Sequence, residues 1–306
     1  MSLLSLLLPI AVLQLNPANS APLGAPDELV NRPERPTNPS DPLRLSDPNA
    51  RWLAQCLEQL ETDAARAHSQ AQIKLTKALG EERVIANHCL GLAATELGLW
   101  EDASAAFIAA RDETPQDQVR ARARFGTMAG NAALAGGNPS GALTLLQTAQ
   151  ADAQSAASAS LQVIAAMDRA RALVALDRAE EALAPLGEAT SLAPKESEAW
   201  LLKATLLRRL DRLGDAQAAI EQAVALSPQD SEIGLEAGVI AILAEREDAA
   251  RASWQSVIDV QPSSLAAETA RGYLEQLGPA PEAAPPAPSP AAQASEPQPE
   301  PQGTQP

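Results

Sequence analysis

Cys56, His68, His88 and Cys89 lie close together near the front of a 306-residue chain, and it contains no other cysteine or histidine. These are the residue types that bind transition metals or act as nucleophile and base. Their spacing matches no standard zinc pattern. Neighbours such as His88 and Cys89 project about 100° apart on a helix, which also spoils a thiol–imidazole pair. Acid–base work needs partly buried carboxylates at a site. Glu180-Glu181 and Glu245/Glu247 instead fall in turn-like stretches open to water. "AGGNP" (135–139) precedes a helix, but no Lys-Ser or Lys-Thr follows it to make a phosphate loop. No Ser/His/Asp arrangement is present. The expectation is no enzyme, no metal and no cofactor.

Charge and composition narrow the class. Lys and Arg total 23 against 39 Asp and Glu, a net charge of −16. That balance opposes nucleic-acid phosphates and anionic membranes alike. Aromatics are 2% of the chain, with alanine and leucine carrying the apolar content, a bias toward helix. "LLSLLLPIAVLQL" (3–15) is too short to span a bilayer. With Ala18 and Ser20 ahead of a cut at Ala21, residues 1–20 read as an export signal, although "MSLLS" carries no basic residue. The other reading is a buried helix, which Pro9 and Pro17 would interrupt. Residues 21–49 are proline-rich, and 278–306 are Pro, Ala, Gln and Glu with no basic residue. Both are expected to be disordered spacers.

Between the tails a pattern recurs. With Val84 as position 1, Gly91 is position 8, Ala103 position 20, Phe107 position 24, Ala110 position 27 and Pro115 position 32. From Ala123 the set is Gly130, Ala142, Leu146 and Ala149, with Gln154 in place of the proline. From Val163 it is Ala170, Ala182, Leu186, Ala189 and Pro194. From Ser197 it is Ala204, Ala216, Ile220, Ala223 and Pro228, and from Ser231 it is Gly238, Ala250, Trp254, Val257 and Pro262. The last three copies follow at 34 residues without a gap.

Period and pattern resemble the tetratricopeptide repeat over about 84–264. The style of the chain is similar to exported repeat proteins of alphaproteobacteria. The resemblance implies an all-α fold, a right-handed superhelical array of antiparallel helix hairpins. Units are expected at 84–117, 123–156, 163–196, 197–230 and 231–264. In each, Gly or Ala at positions 8 and 20 lets the two helices cross closely, and position 24 fills the space beside them. Residues 50–83 read as a divergent capping hairpin with Trp52, Leu53, Cys56, Leu57 and Leu60 on one face. Residues 265–277 read as a capping helix with Leu265, Tyr273, Leu274 and Leu277 turned inward.

On this register Cys56 and Cys89 fall on the first helices of adjacent units. In an exported protein such a pair is expected to form a disulfide, the alternative being two small core residues. The first helices should also line a concave surface through positions 2, 5, 9 and 12. It is mainly apolar, with Thr127, Met167 and Leu201 among its residues. Arg124, Asn131, Arg171, Thr205 and Arg208 are the residues expected to hold partner protein or peptide segments bearing acidic groups. The alternative is that these arginines pair with the array's own carboxylates. Thr127 stands where a carboxylate-gripping lysine would be, so capture of a peptide's C-terminus is not expected.

The function implied is an exported, periplasmic scaffold for protein–protein contacts in a bacterial envelope complex. An accessory subunit of a polysaccharide-processing or export complex, or a cytosolic adaptor, are the alternatives.

Overall fold

The structure is a computed structural model that describes residues 47–279. The signal at 1–20 and nearly all of the segments at 21–49 and 278–306 lie outside the described residues. Among those described are thirteen α-helices and no strand. α1 (Pro48–Thr62) and α2 (Ala64–Leu75) form a front hairpin. Five more hairpins follow: α3 (Glu81–Glu96) with α4 (Trp100–Glu113), α5 (Val119–Ala135) with α6 (Pro139–Ser155), α7 (Ala159–Ala175) with α8 (Ala179–Leu192), α9 (Ser197–Arg209) with α10 (Leu213–Leu226), and α11 (Ser231–Leu243) with α12 (Glu247–Val260). α13 (Leu265–Leu277) closes the array.

The helices begin and end for local reasons. α4, α8, α10 and α12 each stop two residues before a proline, at Pro115, Pro194, Pro228 and Pro262. Proline bars the helical conformation in the residue ahead of it and has no N–H to continue the ladder. α6 meets no such proline and runs to Ser155. The turns inside the five hairpins share one device, a single left-handed residue: Gly98, Gly137, Asp177, Asp211 or Glu245. The next N–H then reaches back to a carbonyl five residues earlier, as from Leu99 to Ala94 at 2.8 Å and from Arg212 to Leu207 at 2.9 Å. That bond satisfies a helix-end carbonyl and reverses the chain in three residues.

Small residues decide how closely the helices approach. Ala103, Ala142, Ala182, Ala216 and Ala250 are fully buried. A Cβ on Gly91 would lie 2.5 Å from the Phe107 ring, one on Gly130 would lie 2.5 Å from Leu146, and one on Gly238 would enter the Trp254 indole. Glycine faces Phe107, Leu146 or Trp254, whereas Ala170 and Ala204 share core clusters with Leu186 and Ile220. At the three glycines the core is filled too closely to admit another carbon.

Each hairpin touches only its neighbours, and the contacts are unequal. First helices meet one another (α1 with α3, α5 with α7, α9 with α11), but successive second helices make no substantial contact. Layers that converge on one side and splay on the other must curve, with the first helices inside the bend.

The ends differ in detail from expectation. At the front, Leu57 is exposed, while Trp52, Leu53 and Leu60 are half-buried and Cys56 is buried, as expected of that face of α1. At the back, Leu265 is 77% exposed, while Ala266, Ala267 and Ala270 are buried against Trp254. Tyr273, Leu274 and Leu277 pack against that cluster as expected, and only Leu265, directly after the Ser264 cap that accepts from the Ala267 N–H at 3.0 Å, turns outward. Helices α5 and α7 also start at Val119 and Ala159, in stretches expected to lie between units.

Candidate partner-binding groove

The inner layer brings the groove candidates onto α5, α7 and α9, but not as five free side chains. Arg171 on α7 donates to Asp168 Oδ1 one turn earlier at 2.6 Å and also reaches Glu198 on α9. Arg208 on α9 donates from Nε to Glu236 Oε1 on α11 at 2.6 Å. Both arginines therefore bridge consecutive inner helices, pairing with the array's own carboxylates, which was the alternative left open by the sequence. The chain is so rich in carboxylates that a groove arginine meets an internal acid first. Arg124 differs: it is exposed and forms no ion pair among the described residues.

Asp168 was not foreseen. Its side chain is buried, and burial pushes its carboxyl above the ordinary carboxylate range against the opposing pull of Arg171. Asn131, exposed on α5, lies close enough to favour the charged form, yet Asp168 Oδ2 makes no hydrogen bond of ordinary geometry. Asn131 is thus a neighbour of the carboxylate, not its hydrogen-bond partner. Thr205 is half-buried on α9, one turn before Arg208. Thr127 and Met167, placed on the groove by the repeat register, are buried, and Thr127 Oγ1 donates to the Ala123 carbonyl at 2.9 Å.

At the front of the groove His88 packs edge-on against Phe125, with ring centroids 5.2 Å apart. Burial, with the Arg124 charge adding to it, lowers the His88 pKa to about 4, so the imidazole is neutral near pH 7. Beside it the first turn of α5 and the turn before α7 enclose a shallow depression of about 400 Å³, lined by Gln118, Arg120, Arg124 and Ala156, with Asp117 among its walls.

The two cysteines at the front have a structural duty. Cys56 and Cys89 are joined by a disulfide, Cα atoms 6.2 Å apart, tying α1 to α3. The sulfurs are buried with Ala71, Trp52 and Leu60. Among the described residues no three of His, Cys, Asp and Glu gather as they would around a metal, and no helix is long and apolar enough to cross a membrane.

No protein-family model matches the chain, and no curated protein matches it. Solved structures are similar. PilF of Pseudomonas aeruginosa superposes with a TM-score of 0.55 at 16% identity, over 74% of this chain and 97% of that one. A MamA fragment from Desulfovibrio magneticus RS-1 gives 0.51 at 16% identity, over 61% of this chain and 99% of its own. YrrB, described as a TPR protein with an unusual peptide-binding site, gives 0.47 at 21% identity, over 65% and 97%. The fold is a tetratricopeptide-repeat solenoid. At these identities the likeness is one of fold.

Proposed function

We propose that this chain is an exported scaffold that holds segments of partner proteins in the concave groove of its repeat array, in the assembly of a bacterial envelope complex. Repeat arrays of this kind present a long inner wall and no reaction centre, which suits holding rather than conversion. The observation that carries the reading is the inner wall itself. Half-buried Leu92, Leu134, Ile164, Val174 and Leu201 line it, with Arg124, Asn131 and Thr205 spaced among them. Partly exposed apolar side chains with a few fixed polar groups are what an extended or helical segment docks onto. With Arg171 and Arg208 neutralised from within, Arg124 is the cation that would meet an acidic group on the partner.

The buried cystine supports export, because structural disulfides persist in oxidising compartments. The same reading makes Ala21 the first residue of the mature protein.

The test is site-specific photocrosslinking in intact cells from Asn131 and Thr205, with Glu221 on the outer helix α10 as control. Partners captured at the two inner sites and not at Glu221, and diminished by Arg124→Glu, are the expected result. The same capture from all three sites would overturn the groove. Sequencing the mature N-terminus tests export: a start at Met1 or Ser2 would contradict it.

A further inference from the structure

A second cavity lies outside the groove. Between α2 and α4, floored by α3, it measures about 280 Å³ and is lined by His68 and Gln72, Asn87 and Leu90, and Asp102 and Ala109. Two lining side chains carry buried polar atoms without a hydrogen-bond partner, Asn87 Nδ2 and His68 Nε2. Asn87 is 4% exposed. Buried amide donors are nearly always satisfied, so an unpaired one beside a cavity points to an acceptor that enters from outside.

The repeats themselves supply the comparison. Leu90 and Ala109 are positions 7 and 26 of their unit. Two units later those positions are Arg169 and Glu188, and there Glu188 closes the corner from within. Its Oε1 accepts from Gln150 Nε2 of the preceding hairpin at 2.5 Å, and Arg169 lies 3.7 Å from Oε2. Gln150 Oε1 and Arg169 Nε remain unpaired, but a carboxylate occupies the space. In the first unit Ala109 leaves that space open. Position 4, which is Gly126 or Ala166 in the next two units, is here the buried Asn87 with a donor to spare.

We propose that this cavity receives a side-chain carboxamide, a glutamine or asparagine of a protein partner, inserted between α2 and α4. Its oxygen accepts from Asn87 Nδ2 and from His68 in the Nε2–H tautomer, as Glu188 accepts from Gln150. Its NH2 group donates to Asp102, which is exposed at the mouth. A carboxylate would supply the oxygen but would face Asp102 in a chain of net charge −16. The site does not depend on the groove, so a partner could engage both walls of the array.

The probe is N-acetylglutamine methylamide, titrated into the full chain with asparagine labelled by nitrogen-15, following the Asn87 side-chain amide by NMR. Expected are a saturable shift at millimolar probe, at least tenfold weaker response to the glutamate analogue, and loss of response in Ala109→Glu. Ala109 is half-buried on an outer helix and glutamate is already used at the matching position, so that variant should fold, as circular dichroism checks. Arg124→Glu should leave the response intact, and this separates the site from the groove. No saturable shift would leave the cavity to water and overturn the proposal. Equal shifts from glutamine and glutamate, or a shift that survives Ala109→Glu, would also overturn it.

Discussion

Arg208 on α9 and Glu236 on α11 form a bidentate pair across consecutive repeats, Nε to Oε1 at 2.6 Å and a second nitrogen to Oε2 at 3.3 Å. The Glu236 side chain is 13% exposed. With Arg171 and Glu198 one repeat earlier, the pair makes the inner wall an ion-paired ladder from α7 to α11.

Breaking one rung strands a half-buried charge. Arg208→Leu is expected to lower stability by about 1–3 kcal/mol, and adding Glu236→Leu should recover most of the loss. Urea unfolding of the four proteins closes the cycle. Strictly additive losses would mean the pair is decorative.

Gly238 faces the Trp254 indole, where a methyl group has no room. Gly238→Ala should lower stability by about 1–3 kcal/mol through overpacking, despite alanine's better helix propensity. Trp254→Leu in that background should restore part of it, because Ala170 already shares a core cluster with Leu186 in an equivalent corner. Thermal unfolding by circular dichroism decides, and an unchanged midpoint in Gly238→Ala would contradict the packing account.

The cystine closes a sequence separation of 33 residues. Replacing both Cys56 and Cys89 by alanine should cost about 3–4 kcal/mol through the greater freedom of the unfolded front segment. Because hairpins couple only to neighbours, the loss should appear as faster amide exchange in α1 to α3 and leave α9 to α13 unaffected. Uniform acceleration along the chain would argue for global coupling instead.

His88 makes the array acid-sensitive. Its folded pKa of about 4 lies below the ordinary value of 6.5, so the fold favours the neutral ring. Its stabilisation is complete above pH 6.5 and is lost as the pH falls toward 4, roughly 2–3 kcal/mol by pH 4.5. Asp168, displaced upward by burial, works in the opposite sense, gaining relative stability as it protonates. The difference between wild type and His88→Gln isolates the histidine: the variant should lose less stability between pH 7 and 4.5. Parallel urea midpoints for the two proteins across that range would refute the assignment.

The fold was legible because backbone approach depends on missing side chains, and glycine and alanine reveal that without coordinates. The first residues of the end helices were less so. Leu265 is apolar and invited an inward reading, but it lies in the first turn beyond the Ser264 cap, where Ala266 and Ala267 face the core instead. Pairing of the groove arginines with the array's own carboxylates was one of two readings of the sequence, but which acids they meet was not identified. Asp168 was visible three residues before Arg171, and Glu236 could have been found by asking which acid one repeat onward faces each arginine. Asn87 gave no signal of its own, since only burial makes an unpaired amide conspicuous.

The Cys56–Cys89 bond also governs how the molecule would bear a load. Pulled at its two ends, the chain can unravel only as far as Cys56 before tension crosses the sulfurs to Cys89, and the residues between them carry none of it. Beyond Cys89 no covalent link secures any hairpin, so rupture travels through α3 to α13 one hairpin at a time. Under such a load the front hairpin would outlast the uncrosslinked repeats behind it.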